Sequence, residues 1–362
     1  MDQVVGTATT YGSRPTNEDM QFHCIINPAG LQLPHVSEQS ILYCGLFDGH
    51  GGMECVDYVA NNFHKHLHVH EDLEELVYNA YETINKEVQY EASRRKFDGG
   101  TTSAIVLIRG DKLVVANTGD TKVVLCRQGR ARLLSEMHLA GNKIERKRSE
   151  ELGGTILTDA WGTQRVGGVM MVTRTIGPIQ ERIKGLTWKP YITTLQITDE
   201  DSFVVLGTDG VFNVMNNQEA VDIVKYCPNP EIAADKIVQK SLEYRTDDNA
   251  TCSVVRLHGW GKYREVDYTN LLKIYNFKIF GTKIDFPENL IPLIIQQVPK
   301  HVVVRALYDM FDQSHDGTLS RSNFKRGMKM LDSHLTSEDL DVVLSSINTG
   351  TVLTFDDFSK IL

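Results

Sequence analysis

Ile41-Leu42-Tyr43-Cys44-Gly45-Leu46-Phe47 runs straight onto Asp48-Gly49-His50-Gly51-Gly52. The apolar run predicts a buried strand. A carboxylate leaving such a strand into a glycine-rich turn can reach a metal, with backbone carbonyls beside it and an imidazole two residues on. The same order returns where Phe203-Val204-Val205-Leu206-Gly207-Thr208 delivers Asp209-Gly210. It is mirrored where Asp247-Asp248-Asn249 opens the run from Thr251 to Leu257. A lone Asp-Gly is ordinarily a turn. Repeated strand-edge carboxylates without a Cys or His cluster point instead to an oxygen-rich site for hard divalent cations, and so to metal-assisted hydrolysis.

The chain has 362 residues, enough for one large core or two domains. With 41% hydrophobic and 23% charged residues, its composition is that of a soluble globular protein. A net charge of -9 argues against a nucleic-acid partner, whose phosphates need basic surface. A phosphorylated substrate stays compatible, because bound metal reverses the field locally. The six cysteines Cys24, Cys44, Cys55, Cys126, Cys227 and Cys252 form no C-x-x-C pair. They read as buried free thiols, and an intracellular compartment, cytoplasmic or nuclear, is expected. No apolar stretch reaches the roughly 18 residues of a membrane span. Met1-Asp2-Gln3 starts neither a signal peptide nor a myristoylation motif, so no membrane partner is expected. Oligomeric state is unreadable from such features, with a monomer as the default.

Up to about His258 the chain alternates strand and helix patterns. The β-rich runs Ala104 to Ile108, Lys112 to Ala116 and Lys122 to Cys126 are joined by short Gly- and Asp-bearing connections, which predicts antiparallel hairpins. Leu73, Leu76, Val77, Ala80, Tyr81 and Ile84 recur at helical spacing and predict an amphipathic helix through about Ala92. Further helices are expected over Met53 to His66, Lys143 to Leu152, Asn217 to Lys225 and Glu231 to Tyr244. Hairpins and helices in separate blocks give an α+β layered domain over 1–258. An aromatic, proline-interrupted connector with helices is expected over 259–300, and a distinct helical region over 301–362.

Taken in order along residues 6 to 257, several segments resemble the metal-dependent protein serine/threonine phosphatases of the type 2C family. Arg14-Pro15-Thr16-Asn17-Glu18-Asp19 is similar to the first motif of that family, and Phe47-Asp48-Gly49-His50-Gly51-Gly52 to the second. Gly99 to Ala104, the hairpin Ala116 to Arg127, Arg165 to Gly168, Thr173 to Gly177, Thr208-Asp209-Gly210 and Asp248-Asn249 fall where later motifs lie. The resemblance implies two stacked antiparallel β-sheets flanked by helices, with a binuclear site at one end. It further implies that Asp48 bridges two Mg²⁺ or Mn²⁺ ions, with Asp209 and Asp248 completing one site and Glu18 and the Gly49 carbonyl the other. A hydroxide shared by the two ions would attack the phosphorus of phosphoserine or phosphothreonine in a protein substrate. Arg14 would hold phosphate oxygens with its planar fork, His50 would protonate the departing oxygen, and Asp19 would orient the ligands.

Three usually acidic family positions are occupied here by Met137, Pro178 and Asn213. Met137 is a poor ligand for a hard cation and Asn213 brings a neutral amide, so a third, weaker metal site is expected to be lost. The core set is complete, and an active enzyme is the favoured reading. The alternative is a catalytically weak or silent pseudophosphatase serving as an interaction scaffold, calcium-responsive through its tail.

In that tail, Asp312, Ser314, Asp316, Gly317 and Thr318 fit positions 1, 3, 5, 6 and 7 of an EF-hand loop, with Leu319 at position 8. Asn323 stands where the bidentate Glu belongs, so any Ca²⁺ binding is expected to be weak. Ser346 to Asp357 reads as a degenerate partner loop with Leu353 at its position 8. A degenerate EF-hand-like pair with a structural role is therefore expected. Residues 155–192, where the substrate-facing loops are expected, carry no readable code.

Overall fold

The computed structural model describes residues 4–27, 39–67, 72–160, 162–262, 304, 307, 308, 311, 319–331, 336–346 and 352–361. The chain separates into two compact units, Met1–Tyr263 and Arg264–Leu362. From residue 263 onward, the connector expected over 259–300 lies outside the described residues.

The first unit opens with β1 (Val5–Thr10), β2 (Asp19–Ile26) and β3 (Ile41–His50), then α1 (Met53–Asn62) and α2 (Leu73–Arg95). The strands β4 (Gly100–Thr101), β5 (Ser103–Arg109), β6 (Lys112–Thr118), β7 (Lys122–Arg127) and β8 (Arg130–Leu133) follow, with β5–β6 and β7–β8 as antiparallel pairs. Next come α3 (Lys143–Glu151), the hairpin β9 (Ile156–Thr158) and β10 (Gln164–Val166), and the short α4 (Ile179–Arg182). The unit closes with β11 (Tyr191–Gln196), β12 (Asp201–Gly207), α5 (Asp209–Phe212), α6 (Asn217–Val224), α7 (Pro230–Glu243) and β13 (Ala250–Arg256).

Two antiparallel sheets result, ordered β1-β13-β12-β7-β8 and β11-β6-β5-β3-β2, with β4 added to the end of β3. The α+β expectation agrees with this arrangement, and β5 and β6 pair as an expected hairpin. The hairpin expected between β6 and β7 does not form, because the short turn after Thr118 carries the chain from one sheet to the other. Between the sheets lie Cys44, Leu46, Val106 and Val115 from one and Val123, Leu125, Val204 and Val255 from the other. On its opposite face the second sheet meets α1 and α2 through Tyr43, Phe47, Leu107, Val56, Phe63, Leu76 and Tyr81. β3 is thus buried on both faces, which explains its unbroken apolar run. A Cβ on Gly45 would meet the Tyr43 hydroxyl at 2.3 Å and the Phe47 ring at 2.9 Å, so the two aromatic rings need glycine between them.

Helix ends follow local chemistry. Asp72 caps α2 by accepting from the Glu74 N–H, and Asn216 with Glu219 forms a reciprocal capping box on α6. Asn229 caps α7, whose first residue is Pro230. The helix expected to continue to His66 changes to a 3₁₀ turn over Phe63–His66. There the Asn62 side chain donates to the Tyr58 carbonyl at 2.7 Å, and such local bonding competes with the helical ladder.

In the second unit, β14 (Leu319–Ser320) pairs antiparallel with β15 (Val352–Leu353), placing Leu319 opposite Leu353. Around this ribbon stand α8 (Arg321–Leu331), α9 (Ser337–Ser346) and α10 (Phe355–Ile361). Phe358 is buried edge-on to Tyr308, Phe311 and Phe324. The loop residues Asp312, Ser314, Asp316 and Thr318 lie outside the described residues.

Candidate functional site

Side chains alternate along a strand. In β3, Cys44 and Leu46 face the other sheet, so Asp48 leaves the same face at the end of the sandwich. β12 runs antiparallel to β13, and Gly207 stands opposite Cys252. Asp209, just past the end of β12, and Asp248, just before the start of β13, therefore emerge at one end of their sheet. β2 starts at that end as well, with Asp19 directly opposite Asp48. Antiparallel pairing sets Asp19 against Asp48 in one sheet and Asp209 near Asp248 in the other, and stacking of the two sheets brings these ends together.

A cavity of about 380 Å³ opens there, and its lining includes Arg14, Glu18, Asp48, Gly49, Asp209 and Asp248. His50 and Asn249 also face it. The backbone of Asp48 is pinned, since its carbonyl accepts from the Thr102 N–H at 2.8 Å and from the Thr101 hydroxyl at 3.1 Å. Gly49 donates its N–H to the Glu18 carbonyl at 3.0 Å. Asp19 does not line the cavity. It is buried behind it and accepts from the Thr208 hydroxyl at 2.9 Å, as suits an orienting group.

Burial, reinforced by the neighbouring Asp19, Asp209 and Asp120, pushes the Asp48 carboxyl well above its ordinary range. Burial raises Asp19 and Asp120 to about 7, and Asp209 is raised by burial and by Asp248. Carboxylates in such a setting need positive charge to stay ionised. Their oxygens form a hard donor set, which suits Mg²⁺ or Mn²⁺. Among the described residues no three His, Cys, Asp or Glu side chains are drawn together closely enough to hold an ion as they stand. Asp248 is turned to Arg14 at 2.8 Å, and Asp209 accepts from the Asn213 amide at 3.2 Å.

Asp120 is the site-region residue that sequence reasoning passed over. It sits in the β6–β7 turn, where a strand again delivers Gly-Asp, so the signal was present in the pattern used for Asp48. His50 bonds Thr175 Oγ1 through Nε2 at 3.0 Å, and burial lowers it to about 4, making it a neutral imidazole near pH 7. Asn213 stands beside Asp209, as its place in the sequence suggests, but presents an N–H to it. Met137 is not among the cavity's lining residues, and Pro178 caps α4.

The segment Thr173 to Gly177 has a structural function the sequence did not disclose. Arg174 holds Glu145 of α3 through Nη2 at 2.6 Å and Nε at 3.0 Å. Thr173 and Arg148 complete the set around Glu145 at 2.6 Å and 3.1 Å. Burial would raise Glu145, but the hydrogen bonds from Arg174, Thr173 and Arg148 hold it at about 2. Burial, with Arg174 close by, lowers His138 to about 3. Both shifts carry the same sign. His138 stabilises the fold above its unfolded value of 6.5 and loses that contribution as pH falls toward 3. Glu145 does so above 4.5, losing it as pH falls toward 2. In paired thermal melts, the melting-temperature advantage of the unmutated chain over Glu145→Gln is expected to shrink as pH falls from 4.5 toward 2.

Comparison with known proteins fits this geometry. The family model described as "Protein phosphatase 2C" matches residues 13–250. "Probable protein phosphatase 2C 11" of Arabidopsis thaliana is 36% identical over 261 residues, covering 69% of this chain and 66% of that protein. "Protein phosphatase 1K, mitochondrial" of Xenopus laevis is 34% identical over 271 residues, covering 72% of this chain and 69% of that protein. Among solved structures, a serine-threonine phosphatase 2C from Toxoplasma gondii shares the fold with a TM-score of 0.61 at 18% identity, over 70% of this chain and 94% of that one. A C. elegans sex-determining protein shares it with a TM-score of 0.64 at 23% identity, over 74% and 68%.

Proposed function

Because the chain belongs to the protein phosphatase 2C family, we propose that it hydrolyses phosphoserine and phosphothreonine in proteins at the cavity lined by Asp48, Asp209 and Asp248. The single observation carrying this reading is the convergence of these carboxylates with Arg14 on one recess. Glu18, Asp48, the Gly49 carbonyl, Asp209 and Asp248 are the groups that would hold two Mg²⁺ or Mn²⁺ ions. When bound, the ions supply an acidified water as nucleophile and neutralise charge on the phosphoryl group. Arg14 orients the phosphate by presenting its guanidinium fork into the recess. His50 lies at the same wall as a neutral imidazole engaged by Thr175, and its role would be hydrogen-bond donation to the departing serine or threonine oxygen. Asp19 fixes Thr208 and through it the chain leading to Asp209. The buried thiols take no part.

The test is hydrolysis of a phosphopeptide across a Mn²⁺ and Mg²⁺ titration. Turnover that rises with metal supports the reading, whereas its absence with both metals from neutral to mildly alkaline pH favours the silent scaffold. Arg14→Ala is expected to raise KM by roughly 10- to 100-fold, the value of a charge-assisted phosphate contact of about 1.5–3 kcal/mol. Steady-state kinetics checks this.

For 301–362 we propose a structural EF-hand-like pair. The opposition of Leu319 and Leu353 and the shared Phe324–Phe358 packing support it. The position-12 residues are otherwise engaged. Asp357 accepts from the Thr354 hydroxyl at 2.8 Å at the start of α10, and Asn323 Oδ1 accepts from Arg326 at 3.1 Å. Both engagements agree with weak or no Ca²⁺ binding. Phosphoproteins are the proposed partners, in an intracellular setting that suits free thiols. No helix among the described residues is long and apolar enough to cross a membrane.

A further inference from the structure

The loop from Tyr11 to Glu18, which carries Arg14, has no regular structure of its own, yet it is stitched to the turn at 247–249 over most of its length. Asn249 supplies the centre of that seam. Its Nδ2 donates to the Tyr11 carbonyl at 3.0 Å and to the Thr16 carbonyl at 2.8 Å, while its Oδ1 accepts from the Glu18 N–H at 2.9 Å. Three of the four hydrogen-bonding positions of this carboxamide are thus used on one loop. The seam extends on either side. The Ser13 hydroxyl donates to the Asp247 carbonyl at 2.9 Å. Gly12 has φ +57, and a Cβ there would lie 1.9 Å from the Asp248 carbonyl oxygen, so only glycine permits this approach.

From this geometry we infer that Asn249 is a positioning residue for phosphate binding, holding the Arg14 guanidinium over the catalytic recess by bracketing its loop at Tyr11, Thr16 and Glu18. The inference rests on the phosphatase reading above. Arg14 is itself half exposed, and its Nη2 donates to Asp248 at 2.8 Å and its Nε to the Asp247 carbonyl at 3.3 Å, on the same turn that Asn249 ties to the loop. A long side chain on a surface loop loses rotamer entropy in any fixed geometry. A loop clamped at its two ends and next to its centre delivers that side chain already confined. Asn249 spends its carboxamide on the loop. It acts through Arg14.

A double-mutant cycle on the full chain tests this, with inorganic phosphate as competitive inhibitor and p-nitrophenyl phosphate as substrate. Asn249→Ala is expected to raise KM and the phosphate inhibition constant together by about 5- to 20-fold, with kcat within about threefold. Arg14→Ala/Asn249→Ala is expected to match Arg14→Ala alone, because the clamp has nothing left to position. Effects that multiply, or an Asn249→Ala enzyme with unchanged KM, overturn the inference. Should Asn249→Ala not fold, Ser13→Ala on the exposed side of the seam carries the same cycle, with an expected rise of about two- to threefold that Arg14→Ala abolishes. Absence of turnover in the unmutated chain would instead count against the phosphatase reading itself.

Discussion

Asp48→Asn is expected to lower kcat/KM for a phosphopeptide by about 10³-fold or more, at least about 4 kcal/mol of transition-state stabilisation. In the presence of a chelator, the same substitution is expected to raise the melting temperature by a few degrees. The two outcomes share one cause. Asp48 sits half-buried in the cavity wall, and desolvation together with Asp19, Asp209 and Asp120 drives its carboxyl toward protonation. Without bound cations that carboxylate opposes folding, and a neutral amide of the same shape relieves the repulsion. Kinetics and calorimetry on one preparation check both limbs. Full activity in Asp48→Asn would remove the carboxylate from the mechanism, and a lowered melting temperature would contradict the electrostatic strain.

The second large effect concerns stability. Arg174→Met is expected to cost about 3–5 kcal/mol, because it leaves Glu145 buried and without its strongest partner. In a unit of this size that corresponds to roughly 10 °C in melting temperature. Arg174→Met/Glu145→Leu is expected to recover much of the loss, since an apolar pair of similar volume needs no counter-charge. A double variant as unstable as the single one would assign the damage to Arg148 or Thr173 instead.

Much of the fold is legible along the chain because it depends on short-range pattern. The run from Ile41 to Phe47 marks a strand buried on both sides, and the turn Arg109-Gly110-Asp111 marks antiparallel neighbours, whereas the similar turn at Gly119-Asp120 joins strands of different sheets. The helix over Leu73–Arg95 follows from its spacing alone. Lining of the candidate cavity is legible where strand ends deliver carboxylates into turns, as at Asp48 and Asp209. What escaped the sequence is long-range pairing. Asn249 meets Tyr11 across 238 positions, and Arg174 meets Glu145 across 29. Neither residue sits in a local pattern that names its partner. Asp120 was missed for another reason, since a turn between strands already accounted for its presence.

Strand pairing in the first unit also sets an order on synthesis. Val5 lies opposite Val255 and Thr10 opposite Ala250, so the first strand of this unit closes against its last one. Until that late segment emerges, Glu18 and Asp48 have no Asp248 beside them, and the growing polypeptide carries an incomplete site. Loop closure over so long a span is slow. A phosphatase built this way is silent through translation, and fragments ending before residue 250 are expected to hydrolyse nothing.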